Sequence, residues 1–146
     1  MPVLCKIEEC TGCSACVNIC SLSAISMEGD SEGFLKPVVD DSKCIECGAC
    51  ERVCPELNPI DFSNNEIDIY AAWAKDIRIR KTGSSGGIFS VLAQEIIKRN
   101  GFVVGAAFDD KFNLYHKMIS SLEELSPLKG SKYVQSDMCL VYRQIL

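Results

Sequence analysis

Cys10-Thr11-Gly12-Cys13-Ser14-Ala15-Cys16-Val17-Asn18-Ile19-Cys20 and Cys44-Ile45-Glu46-Cys47-Gly48-Ala49-Cys50-Glu51-Arg52-Val53-Cys54-Pro55 decide how this chain is read. Both runs have the spacing C-x2-C-x2-C-x3-C. Three thiolates spaced three apart can wrap a short loop around one cube of four irons and four sulfides. The fourth lies on the next turn, faces away and ligates the partner cube. The spacing therefore predicts two 4Fe–4S clusters. Cys10, Cys13, Cys16 and Cys54 hold one; Cys44, Cys47, Cys50 and Cys20 hold the other. A pair of zinc sites is the first alternative, but zinc draws on separated C-x2-C pairs or mixes in histidine. Here each run has a third thiol at the same tight spacing, and the one histidine, His116, is far from both. A disulfide framework is the second alternative, and it belongs with secretion.

The chain has 146 residues and ten cysteines. No basic-then-apolar leader precedes Cys5, so a reducing, cytoplasmic location is expected. No apolar run approaches membrane-spanning length. Charge is uneven: residues 1–62 carry a net −7 and residues 63–146 a net +2. The acidic first segment argues against nucleic acid and suits docking to a basic redox partner protein. The fold class expected is α+β. Residues 1–60 form a two-cluster domain of the bacterial 2×(4Fe–4S) ferredoxin type, and residues 61–146 a partial α+β domain.

In the first segment the runs are internal repeats at a period of 34. Each half is expected to be a short strand, a cluster loop and a short helix, with the first strand at Pro2 to Ile7. Small residues (Gly12, Ser14, Ala15, Gly48, Ala49) let backbone N–H groups approach cluster sulfurs, which raises the potential. Ile25 to Val39, with its turn at Gly29 to Gly33, is a hairpin. Phe34 is expected in the core near a cluster. Cys54 is followed by Pro55, but Cys20 by Ser21, which keeps an N–H and adds a hydroxyl. A higher potential is expected for the cluster that Cys20 helps to hold. Cys5 and Cys139 are expected as buried free thiols.

Pro55 to Asn65 is a linker. Ile69 to Ala74 is expected as a strand, with Trp73 in the core, and an amphipathic helix runs from about Ile88 to Arg99 until Asn100-Gly101 stops it. Phe102 to Phe108 and Leu114 to Ser120 form a hairpin, with His116 structural. Ser121 to Glu124 is a capping box. Lys132 to Gln135 is a further strand. Asp137 caps a final helix still running at Leu146, which suggests a longer protein. Thr82-Gly83-Ser84-Ser85-Gly86-Gly87 opens the long helix and admits two readings. One is an anion site made of free N–H groups, the helix dipole and nearby Arg78, Arg80 and Lys81. The other is an ordinary Ser N-cap with glycines for close packing. It is neither a Walker loop nor G-x-G-x-x-G.

These stretches together resemble the N-terminal part of the coenzyme F420 hydrogenase/dehydrogenase beta-subunit family. The resemblance runs through the paired cysteine runs, Glu32-Gly33-Phe34 with Pro37, residues 82–87, Gly105-Ala106-Ala107-Phe108 and Gly130-Ser131-Lys132-Tyr133-Val134-Gln135-Ser136. It implies an iron–sulfur flavoprotein that passes electrons between clusters, FAD and the deazaflavin coenzyme. It places Ser84, Ser85, Gly86 and Gly87 near the flavin, with Lys132 and Gln135 beside them. The family's larger C-terminal flavin domain is absent from this sequence. No residues stand out as an acid–base or nucleophilic set. The function expected is electron transfer within a flavin-linked oxidoreductase. The alternative is a non-catalytic ferredoxin-like carrier whose second segment docks a partner.

Overall fold

The computed structural model describes residues 2–61 and 68–145. Its contacts divide the chain into two compact units, Met1–Asn65 with Asp137–Leu146, and Glu66–Ser136. The boundary expected at 60/61 therefore has a second crossing near 136/137. Residues 62–65 of the expected linker, and Leu146, lie outside the described residues.

The first unit holds α1 (Ala15–Ile19), the strands β1 (Ile25–Gly29) and β2 (Leu35–Val39), and α2 (Ala49–Arg52). The strands pair antiparallel from Ile25↔Val39 to Gly29↔Leu35, as the sequence predicts. Their turn is fixed by Asp30, whose Oδ1 accepts from the N–H groups of Glu32 and Phe34 at 2.9 Å each. Phe34 is 49% exposed at the end of that turn and not in the core.

The strand expected at Pro2 to Ile7 does not form. Val3 N–H donates to the Glu51 carboxylate at 2.6 Å, and the chain turns at residues 7–9. With its donor spent on a side chain, the segment has no ladder.

The last helix, α5 (Val141–Ile145), packs on α1 within this same unit. Asn18, 7% exposed, donates through Nδ2 to the Cys139 carbonyl at 2.9 Å. Arg143 donates to the carbonyls of Asn18 (2.6 Å), Val17 (3.1 Å) and Cys20 (2.5 Å). A cation thus meets the orphan carbonyls at the C-terminal end of α1, where the helix dipole is negative.

The second unit holds α3 (Ile77–Lys81), α4 (Ile88–Lys98), the hairpin β3 (Val103–Phe108) and β4 (Leu114–Ile119), and a 3-10 helix over Glu123–Leu128. β3 and β4 pair antiparallel from Val103↔Ile119 to Phe108↔Leu114. The core joins Ala93 and Ile97 of α4 to Ala107, Ile119, Leu125 and Leu128. The broad apolar face expected on α4 is only partly buried, since Phe89, Leu92 and Ile96 are exposed.

Pro127, which has no N–H, accompanies the tight 3-10 geometry of the last helix of this unit. The capping box expected at Ser121 to Glu124 does not form: the helix N-cap is Leu122, with no side-chain cap, and the Ser121 hydroxyl donates to the Glu124 carboxylate at 3.3 Å instead. α3 falls where only a basic stretch was expected; its N-cap is Asp76, which accepts from Arg78 N–H at 2.8 Å.

Two further expected strands are absent, both in the second unit. Ile69 to Ala74 has no ladder, and Trp73 is 63% exposed, so it is not a core residue. Lys132 to Gln135 has no ladder either; the Lys132 ammonium donates to the carbonyls of Pro127 (3.0 Å) and Lys129 (2.9 Å). Among the described residues no helix is long and apolar enough to cross a membrane.

Candidate functional site: two thiol-lined hollows and a glycine–serine loop

The first unit encloses two hollows, and the cysteines line them crosswise. Cys10, Cys13 and Cys16 share one with Cys54 of the other run. Cys44, Cys47 and Cys50 share the second with Cys20. Local geometry explains the exchange. Ser14 (φ 60°) and Gly48 (φ 69°) turn left-handed, and each starts a short helix that carries its run's fourth cysteine away from the other three. Among the described residues, no three His, Cys, Asp or Glu side chains are grouped so as to hold a metal ion; the thiols ring each hollow instead.

Two of these thiols resist ionisation. Burial pushes Cys16 up to about 11, and burial also raises Cys50. Iron supplies the positive charge that makes such thiols thiolates, so the donor set fits a polynuclear iron cluster. The surrounding backbone points the same way. Gly12 N–H approaches Cys10 Sγ at 3.4 Å, and Ala24 N–H approaches Cys20 Sγ at 3.3 Å. The carbonyls of Cys10, Cys20 and Cys47 accept from Lys36 (2.8 Å), Arg143 (2.5 Å) and Arg52 (3.2 Å).

Sequence reasoning missed several residues here. Cys5 is not a remote core thiol, for it lines the first hollow. Burial, with hydrogen bonds to Cys54 and Cys10, pushes it up to about 12. Its position ahead of the first run was a weak signal. Cys139 is exposed, not buried. Arg143 gave no signal at all, since it lies 123 residues from Cys20.

In the second unit a cavity of about 290 Å³ is lined by Ser84, Gly87, Gly105, Gly130, Ser131 and Lys132, among others. It brings together Ser84, Gly87 and Lys132 of the expected set. Ser85, Gly86 and Gln135 are not in its lining. Ser84 does not cap α4; its Oγ accepts from Ser131 N–H at 2.8 Å. The N-cap is Gly87 (φ 73°), with no side-chain hydrogen bond.

Gly86 serves close packing, because a Cβ there would stand 2.5 Å from the Ala72 carbonyl oxygen. The expected cations Arg78, Arg80 and Lys81 do not line the cavity; Lys129 and Lys132 do. Arg78 is paired with Asp76 at 2.9 Å. Burial lowers the Lys132 pKa.

Residues 9–57 match the family model of the 4Fe-4S dicluster domain. An uncharacterized ferredoxin of Methanocaldococcus jannaschii is 44% identical over 52 residues, 36% of this chain and 73% of that protein. Ferredoxin-3 of Chlorobaculum tepidum is 43% identical over 54 residues, 33% of this chain and 79% of that protein. The archaeal-type glutamate synthase [NADPH] of Thermotoga maritima is 32% identical over 84 residues, 55% of this chain. The chain spans only 16% of that synthase's length. The first unit is thus a ferredoxin-like iron–sulfur electron carrier. Residues 69–142, just over half of the chain, match the model described as coenzyme F420 hydrogenase/dehydrogenase, beta subunit N-term, and the chain belongs to that family.

Proposed function

We propose that Cys10, Cys13, Cys16 and Cys54 hold one 4Fe–4S cluster, that Cys44, Cys47, Cys50 and Cys20 hold the other, and that the chain carries electrons to or from a flavin seated on its second unit. The crosswise sharing of the two hollows carries the reading. The clusters, when bound, supply one-electron transfer. The protein's part is to hold eight thiols in two rings, to donate N–H groups to sulfur, and to set cations against the carbonyls of Cys10, Cys20 and Cys47. Donors and cations of this kind favour the reduced, more negative state.

The flavin is assigned to the cavity of Ser84, Gly87 and Lys132, whose hydroxyl, helix N-terminus and ammonium suit a phosphate. FAD is the form the family implies, with the deazaflavin coenzyme or a related acceptor beyond it. The donor is a separate redox protein meeting an acidic face. In this reading any hydride transfer belongs to the flavin.

Oxygen-free purification followed by iron and sulfide assay tests the first part. About eight of each per chain is expected for two such clusters; zinc in their place sinks it. Reconstitution with FAD tests the second. Bound flavin that bleaches under a reductant is expected, and clusters without flavin leave the carrier reading. Gly86 favours that second reading, since its role is packing against Ala72 and Trp73.

A further inference from the structure

Aligned at their spacing of 34, the two cysteine runs set Ser14 where the second has Gly48. Both residues are left-handed, φ 60° and φ 69°. Glycine adopts that backbone freely, whereas a residue with a Cβ is strained in it. Ser14 carries a second penalty. Its side chain is 2% exposed, and its hydroxyl has no hydrogen-bond partner. An unpaired buried hydroxyl is costly to keep. Nor does the side chain cap α1, the usual local use of a serine at this position. Glycine would escape both penalties. The serine stands in the wall of the first hollow, beside Cys10, Cys13, Cys16 and Cys54.

We infer that Ser14 is a hydrogen-bond donor to the first cluster, its Oγ–H directed at a cluster sulfur or a ligating thiolate. This rests on the reading that those four cysteines hold a cluster. Sulfur there gains negative charge on reduction, so the bond strengthens in the reduced state and raises that cluster's potential. Gly48 offers the second cluster no such donor. The serine is therefore a built-in difference between two sites with the same four-thiol lining.

The test is a redox titration, followed by electron paramagnetic resonance, of the full chain purified without oxygen. Wild type is compared with Ser14→Gly and Ser14→Ala, with iron and sulfide counted in each. Both variants are expected to keep their iron. One of the two midpoint potentials should fall and the other stay. The fall expected is about tenfold in the reduction equilibrium, or about 59 mV for a one-electron couple. Ser14→Gly should also melt no lower than wild type, because it relieves the backbone as well as the buried hydroxyl. Unmoved potentials in iron-replete variants would overturn the inference and leave Ser14 a structural residue. Two potentials falling together would overturn it as well. A wild-type chain without iron would instead remove the cluster assignment underneath. Should Ser14→Ala fail to assemble, Ser14→Gly decides alone.

Discussion

The two hollows of the first unit have the same four-thiol lining and different neighbours. The first has a fifth thiol in Cys5, a buried hydroxyl in Ser14, and Pro55 after its fourth cysteine. The second has Lys43 in its wall and Ser21 after its fourth cysteine. At its edge, Arg143 sits on the Cys20 carbonyl at 2.5 Å. A repeated ligand pattern therefore does not make two equal sites. On the reading proposed above, the cysteines hold the metal, and the residues between and around them decide how readily each site accepts an electron.

The comparison breaks most visibly at the fourth cysteines. Cys54→Ala and Cys20→Ala should each cost about half of the iron, because each removes a corner from one cube. The loss should fall on the cluster of the opposite run, so Cys54→Ala should silence the signal that depends on Cys10, Cys13 and Cys16. Cys5→Ala should leave the iron count unchanged. A Cys54→Ala protein that keeps both electron paramagnetic resonance signals in full would end the crosswise assignment.

Arg143 comes next. It joins α5 to α1 through three carbonyls, and Asn18 completes the joint from the other side. Charge-assisted hydrogen bonds of this kind contribute about 1.5–3 kcal/mol each when well made, and less where water competes. Arg143→Ala should therefore cost the first unit about 2 kcal/mol, read as a lower melting temperature with iron intact. An unchanged melt would show that α5 is not needed there. Arg143→Lys should recover little, since a point charge cannot serve three carbonyls at once.

How much of this was legible in the sequence follows from distance along the chain. The spacing of the cysteines is local, and it gave both the groups and their exchange between runs. The β1–β2 hairpin was legible because Asp30 and Gly33 are a turn in themselves. So was α4, whose periodicity and Asn100-Gly101 stop lie within one stretch.

The misses are of another kind. Pro2 to Ile7 and Lys132 to Gln135 have strand-like composition, but a strand exists only where a partner edge does. Trp73 was expected in the core by residue type and lies exposed, since nothing in its own segment says what it meets. The return of α5 to the first unit depends on Asn18 and Arg143, 125 residues apart. In the second unit the glycine–serine loop follows neither reading in full, since no serine caps α4 and Arg78, Arg80 and Lys81 do not line the cavity. Gly86 packs, while Ser84 and Gly87 face the cavity.

Smaller effects sharpen the comparison without breaking either site. Gly48→Ser installs in the second run the serine that the first already has. A Cβ there meets the side-chain tips of Arg52, at 3.3 Å, and Glu51, at 3.9 Å, so the side chain fits at the cost of backbone strain of about 1 kcal/mol. The midpoint potential of the second cluster should rise as that of the first falls in Ser14→Gly. Ser21→Pro should move the second cluster the other way, because it removes an N–H and a hydroxyl beside Cys20. Potentials that ignore both changes would mean that backbone donors and solvent set them instead.

The least effect expected concerns acid, and it separates the approaches to the two runs. Asp40 closes the turn that delivers Cys44. Its Oδ1 accepts from Ser42 N–H at 3.0 Å and Ser42 Oγ at 2.6 Å, and its Oδ2 pairs with Lys43 at 2.7 Å. The Lys43 ammonium, with the Ser42 hydroxyl, holds Asp40 down to about 2. An unfolded aspartate titrates near 3.9. Folding therefore favours the ionised form, and the stability this gives is present above about pH 4 and lost as pH falls toward about 2. The pair is exposed, so the contribution is small and salt will weaken it. Asp40→Asn should flatten stability across that window and leave it almost unchanged at neutral pH. The first run has Lys6 and Glu9 ahead of it, bridged at 3.0 Å and largely exposed. Glu9→Gln is the control, a surface ion pair removed ahead of the first run. An equal response to the two substitutions would show that neither turn, but the chain's overall charge, governs its behaviour in acid.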